Sequence, residues 1–251
     1  MVSLGEAILL SFVQGITEWF PISSSGHLAL VHQFLGFQNL AFDVYLHFAS
    51  VLAVIILYGK DIAKLTFPTR TNRRYILKLF IAILPVAIVG FIYKDHVKYA
   101  FSNSLFIGIF FIIFGFFIYA TKFAKEQKQK PSFMDAAIIG FAQTLALFPG
   151  ISRAGMTMGS ALMTGVKKEE AVKFSFILAV PIILGATLLE AKEIALANIP
   201  ATTLLTAFTI TLLTSLLTIK FLIKIVQTEK FYLFGFYNII LGIIVVLVSI
   251  F

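Results

Sequence analysis

Long apolar blocks separated by short polar stretches make up most of this chain. Six of the blocks run without interruption and are long enough to cross a hydrocarbon core of about 30 Å. Lipid offers no partner for a free backbone N–H or C=O group, so such blocks are expected to be helical. We predict membrane-spanning helices at about 41–58, 76–93, 102–121, 172–190, 201–223 and 231–251.

Two further apolar blocks, at about 5–36 and 134–165, are interrupted near their middles. Pro21 interrupts the first block, and Pro149 with Gly150 interrupts the second. Proline lacks a backbone N–H and clashes with the preceding helical turn, so it breaks a helix. The resulting halves are too short to span a membrane alone. We therefore predict two re-entrant hairpins, each made of two half-helices that enter and leave on the same side.

The two interrupted blocks resemble each other. The segments "FVQGITEWFPISSSG" (12–26) and "FAQTLALFPGISRAG" (141–155) share Phe-x-Gln, Phe-Pro, Ile-Ser and Gly in the same order. Three full spans lie between them, which is an odd number, so the second copy should be inverted relative to the first. Inverted repeats with broken helices usually bring their breaks together at a central site. This arrangement suits a transporter and an intramembrane enzyme equally well.

The predicted fold is an all-α polytopic membrane protein with six transmembrane helices and two re-entrant broken-helix hairpins. It forms a single domain over residues 1–251, with inverted repeats at about 1–121 and 134–251. The composition agrees, because 59% of the residues are apolar and 28 are phenylalanine. There is no cysteine, so no disulfide framework or thiol chemistry is available. The first ten residues contain Glu6 and no basic residue, and we expect no cleavable signal peptide.

The formal net charge of +8 is explained better by membrane topology than by nucleic-acid binding. With both interrupted blocks treated as re-entrant, four basic clusters fall on one face, which the positive-inside rule makes cytoplasmic. Both termini then lie outside. The clusters hold 16 of the 20 Lys and Arg residues: Lys60, Lys64, Arg70, Arg73, Arg74 and Lys78; Lys122, Lys125, Lys128 and Lys130; Lys167, Lys168 and Lys173; Lys220, Lys224 and Lys230.

The first break combines polar groups that are unusual inside an apolar block. Gln14 and Glu18 are four residues apart and share a helix face. After Pro21, the run Ser23, Ser24, Ser25 and Gly26 opens a new half-helix, where serines are favoured caps and free backbone N–H groups suit a phosphate. His27 follows and can act as a donor, an acid or a base near neutral pH.

The second break supplies a positive charge. Arg153 is the only arginine inside an apolar segment, and its planar fork fits pairs of phosphate oxygens. An unpaired charge in a membrane costs roughly 2.5–3.5 kcal/mol on insertion scales, so we expect Glu18 and Arg153 to pair. Together with the two helix starts, at Ser24 and at Ser152 to Gly155, this pair predicts an anion site.

Simpler structural interpretations exist for several of these residues. Small residues such as Ser25 and Ala154 often serve helix packing. His27 is compatible with a structural role, and Gln14 and Gln143 with satisfying backbone groups freed at the breaks. Glu18 and Arg153 are harder to explain, although a purely stabilising ion pair stays open. His32, His47 and His96 show no metal-ligand spacing, and Asp135 is expected to be a helix-start carboxylate.

The quoted residues identify a family. The segments "QGITEWFPISSSGHL" and "PGISRAG", with "SFILAVP" at 175–181, resemble the signature regions of the bacitracin-resistance type undecaprenyl-diphosphate phosphatases, over nearly the whole chain. The resemblance implies a hydrolase that converts undecaprenyl diphosphate to undecaprenyl phosphate and inorganic phosphate. It thereby recycles the lipid carrier for cell-envelope polymers. It also implies a multi-pass plasma-membrane protein, a site open to the outer face, and a divalent cation, Mg²⁺ or Ca²⁺.

The resemblance also implies roles for individual residues. The catalytic set is Glu18, Ser24, His27 and Arg153, with Glu18 as a candidate metal ligand. The residues at the two helix starts themselves predict the phosphate-binding set, which is Ser23, Ser25, Gly26, Ser152, Arg153 and Gly155, supported by Gln14 and Gln143. Two positions depart from the family pattern, since Gln14 replaces a common glutamate and Ala154 replaces the second serine of PG-x-SRSG.

Several alternatives stay open at this point. Either Ser24 or a water molecule positioned by it can be the nucleophile. A transporter that flips polyprenyl phosphate, or a phosphatase for another lipid phosphate, fits the same residues. We expect a lipid substrate in the membrane and no nucleic-acid partner, and a homodimer is a candidate assembly.

Overall fold

The chain folds into ten α-helices over the residues that the structure describes. The computed structural model describes residues 2–36, 38–93, 100–101, 103–196 and 199–251, excluding the side chains of 193–196. Two short 3₁₀ turns, Thr121–Phe123 and Leu145–Leu147, extend two of the helices. The helices are α1 Leu4–Thr17, α2 Ser24–Leu35, α3 Leu40–Leu65, α4 Arg70–Ile92, α5 Ser104–Ala120, α6 Phe133–Thr144, α7 Arg153–Met163, α8 Lys168–Leu196, α9 Ala201–Gln227 and α10 Leu233–Ile250.

The six predicted membrane spans are confirmed, with longer ends than predicted for several of them. Six helices in the described part of the chain are long and apolar enough to cross a membrane. Helix α3 continues past Lys60 to Leu65, and α8 begins at Lys168 rather than near 172. The apolar pattern missed these ends because a helix can extend beyond the hydrocarbon, where charged side chains are solvated. The six spans are Leu40–Leu65, Arg70–Ile92, Ser104–Phe123, Lys168–Lys192, Ala201–Gln227 and Leu233–Ile250.

Both interrupted blocks are broken at the predicted places. The first break separates α1 from α2 around Pro21, and the second separates α6 from α7 around Pro149. The longest half-helix, α1, has 14 residues and is therefore about 21 Å long. This is shorter than a hydrocarbon core of about 30 Å. In each block the two halves pack against each other, and re-entry from one membrane face remains a prediction.

Glycines allow α5 and α10 to pack with their backbones in close contact. A Cβ atom built on Gly108 would lie 3.0 Å from the carbonyl oxygen of Gly242, and one on Gly242 would lie 2.6 Å from that of Gly108. Gly115 and Gly235 face each other in the same way, at 2.8 and 2.7 Å. Small residues at such crossings are how membrane helices gain packing contacts. Helix α5 of this pair also packs against α2 and α7, the helices that begin at the two breaks.

The loops that hold the basic clusters meet at one end of the molecule. Lys173 Nζ lies 2.7 Å from Asp61 Oδ1, which joins the start of α8 to the end of α3. Lys168 Nζ lies 2.6 Å from Glu229 Oε1, and this hydrogen bond lowers the pKa of the Glu229 carboxyl. Lys128 forms a backbone bridge with Val166. The clusters therefore share one end, as the topology prediction requires.

Candidate active site

The two breaks are joined by a reciprocal pair of serine contacts. Ser23 caps α2, and its Oγ accepts hydrogen bonds from the N–H of Gly26 at 3.2 Å and of Gly150 at 3.0 Å. Ser152 caps α7, where its Oγ accepts from the N–H of Gly155 at 3.1 Å and donates to the carbonyl of Phe20 at 3.2 Å. Each cap thus also binds the backbone of the other break. The prediction that the breaks come together is confirmed.

Ser23 and Gly150 have backbone conformations that few residues adopt readily. Ser23 has φ 64°, and Gly150 has φ 98°. A non-glycine residue with positive φ costs of order 1–3 kcal/mol and persists only where its surroundings hold it. Here the Ser23 side chain is held by two N–H groups, one from each break. The chain reversal at the first break is therefore supported by the second.

Gly26 and Gly155 permit close contact between the breaks. A Cβ atom on Gly26 would lie 2.8 Å from the backbone nitrogen of Gly150, and one on Gly155 would lie 2.9 Å from Pro21 Cβ. Their N–H groups already donate to Ser23 and Ser152. These contacts give the two glycines and the two serines a structural role, beside the phosphate contact that the sequence predicts.

Glu18 lies between the breaks and accepts hydrogen bonds from both. Its side chain is only 5% exposed, and its Oε1 pairs with Arg153 Nη2 at 2.5 Å. Its Oε2 accepts from Ser24 Oγ at 2.6 Å and from Gln14 Nε2 at 3.0 Å. The predicted Glu18–Arg153 pair is confirmed. The contact with Ser24 also places that hydroxyl beside a group able to accept its proton.

Only one of the two terminal nitrogens of Arg153 has a hydrogen-bond partner among the described residues. Its guanidinium carbon lies 5.4 Å from the centre of the Trp19 ring, in a cation–π contact. Nη2 binds Glu18, whereas Nη1 is buried and has no hydrogen-bond partner in the described part of the chain. A buried donor without a partner costs free energy unless a ligand or water satisfies it. Arg153 Nη1 is therefore available to an anion.

Both ring nitrogens of His27 have hydrogen-bond partners other than Ser24. Its Nδ1 lies 2.8 Å from the carbonyl oxygen of Ser23, and its Nε2 lies 2.7 Å from Tyr237 Oη. With Nδ1–H donating to the carbonyl, Nε2 accepts from the phenol of Tyr237. His27 thus joins the first break to α10, while Glu18 is the residue that binds the Ser24 hydroxyl.

His47 is a histidine that the sequence analysis left outside the site. Its Nε2 lies 3.3 Å from Glu18 Oε2, and its Nδ1 lies 2.7 Å from the carbonyl oxygen of Asp43. A signal for it was present, because an ionisable residue inside a predicted span is by default a functional candidate. The search for metal-ligand spacing overlooked it. Of the other two histidines outside the predicted site, His32 pairs with Asp43 rather than with Glu18, and His96 lies outside the described residues.

The remaining predicted residues have distinct positions. Gln143 Nε2 donates to the carbonyl of Ala82 at 2.6 Å and so binds the backbone of α4 rather than Glu18. Ser25 Oγ lies 3.3 Å from Ser23 Oγ. Asp135 forms a capping box with Ser132 and also pairs with Lys128, which confirms it as a helix-start carboxylate.

The protein groups at the breaks do not form a metal site by themselves. Among the described residues, no group of three or more His, Cys, Asp and Glu side chains is placed to hold a metal ion. Glu18 already accepts from Arg153, Ser24 and Gln14. A dedicated Mg²⁺ or Ca²⁺ site needs six or more oxygen ligands in close array. The residues present do not fit such a site.

Comparison with known proteins shows the family. The family model described as bacitracin resistance protein BacA matches residues 7–244. The chain belongs to the BacA family. The resemblance stated from the sequence motifs is thereby confirmed, and the BacA match includes both breaks.

Curated relatives of this BacA protein are similar over their full length, and each is named undecaprenyl-diphosphatase. The protein of Methanosphaera stadtmanae is 34% identical over 100% of this chain and 99% of the relative. That of Methanococcus vannielii is 40% identical over 92% and 95% of the two chains. That of Bacteroides fragilis strain YCH46 is 34% identical over 97% of each.

Proposed function

We propose that this protein is an integral membrane phosphatase that hydrolyses undecaprenyl diphosphate to undecaprenyl phosphate and inorganic phosphate. Relatives that match this chain over nearly their full length are named undecaprenyl-diphosphatase. The observation that most supports it is the Glu18–Arg153 pair with Arg153 Nη1 left without a partner. Through this reaction the protein recycles the lipid carrier for cell-envelope polymers and confers bacitracin resistance.

The diphosphate binds where the two breaks meet. Arg153 Nη1 donates to a phosphate oxygen while Nη2 stays on Glu18, so the fork connects the substrate to the carboxylate. The first turns of α2 and α7 begin at Ser24 and Arg153, and N–H groups at such helix starts favour anions. Both contacts stabilise the negative charge on the phosphoryl oxygens in the transition state.

Glu18 and Ser24 carry out the chemical step. Glu18 Oε2 accepts the hydrogen bond from Ser24 Oγ at 2.6 Å and is placed to take its proton. In one route Ser24 Oγ attacks the terminal phosphorus, the bond to the bridging oxygen breaks, and undecaprenyl phosphate leaves. Water then hydrolyses the phosphoserine. In the other route Ser24 orients a water molecule that attacks directly and gives its proton to Glu18.

Trapping experiments separate the two routes. A phosphoserine at Ser24, found by mass spectrometry after rapid acid quench, supports attack by serine. Hydrolysis in ¹⁸O-labelled water with label in the phosphate and no enzyme adduct supports direct attack by water. His27, held by Ser23 and Tyr237, keeps the first turn of α2 in place in both routes.

A divalent cation would be held mainly by the oxygens of the diphosphate and would shield their negative charge. Mg²⁺ is usually held by one or two carboxylates together with substrate phosphates rather than by an all-protein cage. The described residues offer no such cage, so the diphosphate would supply most of the ligands. Loss of phosphate release on adding a chelator, restored by Mg²⁺ or Ca²⁺, tests this.

The site opens toward the outer face of the plasma membrane in the proposed topology. The end of the molecule that holds the basic clusters is assigned to the cytoplasm by the positive-inside rule. Asp61 lies at that end, paired with Lys173. His47, beside Glu18, lies about 14 residues earlier in the same helix, which corresponds to about 21 Å along the axis. The catalytic groups are thus far from the basic end.

The direct test is phosphate release by purified protein in detergent, with prenyl diphosphates of several tail lengths. Release that is lost in Glu18→Gln supports the proposal, and the ranking of tail lengths shows whether undecaprenyl diphosphate is preferred. A transporter needs two compartments, so a protein that releases no phosphate in detergent but flips polyprenyl phosphate in vesicles would contradict it. The mass of the detergent-solubilised protein tests for a homodimer.

A further inference from the structure

Asn238 is a buried polar residue inside a very apolar span. It lies in α10, and its side chain is fully buried. An amide among apolar side chains costs free energy unless it forms hydrogen bonds. Gly235 and Gly242 lie three residues before it and four after it, on the same helix face, and both approach the backbone of α5 closely. Asn238 therefore faces the protein rather than lipid.

The Asn238 amide connects α10 to the first break. Its Nδ2 donates to the carbonyl of Pro21 at 2.8 Å and to the carbonyl of Phe234, in its own helix, at 2.6 Å. Both partners can only accept, so the amide nitrogen must face them, and both of its protons are used. Its Oδ1 is buried and has no hydrogen-bond partner in the described part of the chain. Such an acceptor costs free energy, so stability alone does not explain this amide.

The carbonyl of Pro21 is one of two neighbouring carbonyls through which other elements hold the chain reversal. The Phe20 carbonyl accepts from Ser152 Oγ, in the cap of α7, at 3.2 Å. The next carbonyl, that of Pro21, accepts from α10. The last carbonyl groups of a helix have no partner within it, so the donors that reach them from outside help to position the chain there. The reversal is thus held from two sides, by the second break and by α10.

A second contact from α10 holds the chain beyond Ser24. Tyr237, also in α10, has its Oη 2.7 Å from His27 Nε2. Pro21 and His27 lie three residues before and three residues after Ser24. Two residues of α10 therefore hold the chain on both sides of Ser24, whose Oγ lies 2.6 Å from Glu18 Oε2.

We propose that Asn238 is a positioning residue of this phosphatase site, which sets the Ser24 hydroxyl against Glu18 by holding the Pro21 carbonyl. The inference rests on the proposed function for its kinetic part. Glu18 lies before the reversal and Ser24 after it, so the shape of the reversal decides how the two side chains meet. Asn238 donates to neither of them. It should therefore affect the chemical step, which depends on their geometry, more than the binding of the diphosphate by Arg153.

Asn238→Leu and Asn238→Ser test this role in the phosphate-release assay. Leucine has a similar volume and removes the donor. Serine can keep a bond within the helix, as Ser249 does with the carbonyl of Val245, but is too short to reach Pro21. We expect both variants to lower kcat about tenfold, the scale of one hydrogen bond between membrane helices, with KM changed less than about twofold. A serine variant with normal kcat would overturn the inference, because the bond within α10 would then suffice.

A double-mutant cycle with Ser24→Ala separates positioning from a general loss of structure. If Asn238 acts by placing the Ser24 hydroxyl, its substitution has nothing left to misplace once that hydroxyl is gone. We expect Asn238→Leu to lower the residual kcat of Ser24→Ala less than about twofold, against about tenfold in the wild type. An equal loss in both backgrounds would show a purely structural role and overturn the inference.

Thr211→Val is the matched control. Thr211 is buried in α9, and its Oγ1 donates to the carbonyl of Ser11 in α1 at 3.4 Å. It is thus also a neutral side chain of a spanning helix that binds the backbone of the first interrupted block, but away from the reversal. Both kcat and KM should stay within about twofold of the wild type. A loss as large as that of Asn238→Leu would overturn the specific role of Asn238.

Solid-state NMR in lipid tests the contact without any activity. With ¹⁵N-labelled asparagine and carbonyl-¹³C-labelled proline, we expect a dipolar coupling between the Asn238 side-chain nitrogen and the Pro21 carbonyl carbon, assigned by its loss in Asn238→Leu. Phosphate release by a wild-type protein without this coupling would overturn the inference and leave the proposed function standing. If the coupling were present but no phosphate were released, the proposed function would fail while the hydrogen bond to the first break stood.

Discussion

The two breaks are alike in the residues that hold the backbone and different in the residues that hold charge. Ser23 and Ser152 cap their half-helices and bind the opposite break, and Gly26 and Gly155 allow the same close contact. At the position of Glu18, however, the second break has Leu147. The two breaks thus share the same kinds of backbone contact, but only the first carries a carboxylate at this position.

The same comparison explains how one carboxylate is reached from two sides. Ser24 and Arg153 occupy equivalent positions, directly after the capping serines, and both contact Glu18. Ser24 Oγ reaches Oε2 of Glu18, and Arg153 Nη2 reaches Oε1. One copy therefore provides a hydroxyl and the other a guanidinium, which are the two groups that phosphoryl transfer needs beside a base.

Arg153→Lys should produce the largest loss of activity, because it changes the charged group that the second break supplies. A lysine keeps the charge but cannot bind Glu18 and a phosphate in one plane. We expect kcat/KM for phosphate release to fall about 100-fold or more, as for loss of one transition-state donor. Near-normal turnover in this variant would remove Arg153 from the catalytic site.

Ser24→Ala and Ala154→Ser test which small residues at the two helix starts take part in the reaction. Ser24→Ala removes the hydroxyl on Glu18 and should lower kcat about 100-fold. Ala154 is 1% exposed and no hydroxyl is required there, so Ala154→Ser should change kcat less than about fivefold, mainly through packing. The reverse ranking would show that the two breaks are misassigned.

Gln14→Leu and Gln143→Leu should separate the two glutamines of the repeat. Gln14 donates to Glu18, and its loss should lower kcat about tenfold, as for a hydrogen bond to a charged group. Gln143 binds the backbone of Ala82, so its loss should lower the free energy of unfolding by about 1 kcal/mol with little change in kcat. Phosphate release and thermal unfolding in detergent measure both, and equal kinetic losses would contradict the distinction.

Ser152→Ala should have the smallest effect and should act on stability. It removes the cap of α7 and the contact with the Phe20 carbonyl, which should lower the free energy of unfolding by about 1–2 kcal/mol. Thermal unfolding with and without a prenyl diphosphate checks this. A large fall in kcat without a loss of stability would instead favour direct phosphate binding by Ser152.

The pattern of apolar blocks was enough to predict the six spans and both breaks. Each span is too long and too apolar to have another stable form in lipid, and each break has a proline or glycine in the middle of an apolar block. The pairing of Glu18 with Arg153 was predictable because two lone charges inside apolar blocks are costly apart. These features depend on local chemistry and on the repeat alone.

The parts of the site that were not predicted depend on tertiary packing. Nothing local indicates that His27 turns to Tyr237, 210 positions away along the chain, rather than to Ser24. His47 reaches Glu18 only because α3 packs against α1. Gln143 is the equivalent of Gln14 in the second copy, which has Leu147 where the first copy has Glu18. Gln143 therefore has no carboxylate four residues later and donates to the backbone of α4. The pairing of two charges inside apolar blocks can be predicted because so few charges are available there. The hydrogen-bond partners of neutral side chains depend on how the helices pack.

The most direct test of the central claim is an experimental structure with a non-hydrolysable prenyl methylene-diphosphonate bound. The account predicts that the terminal phosphonate lies between the first turns of α2 and α7, within hydrogen-bond distance of Arg153 Nη1 and close to Ser24 Oγ. A diphosphonate bound elsewhere, for example at the basic end near Lys168 and Lys173, would contradict it.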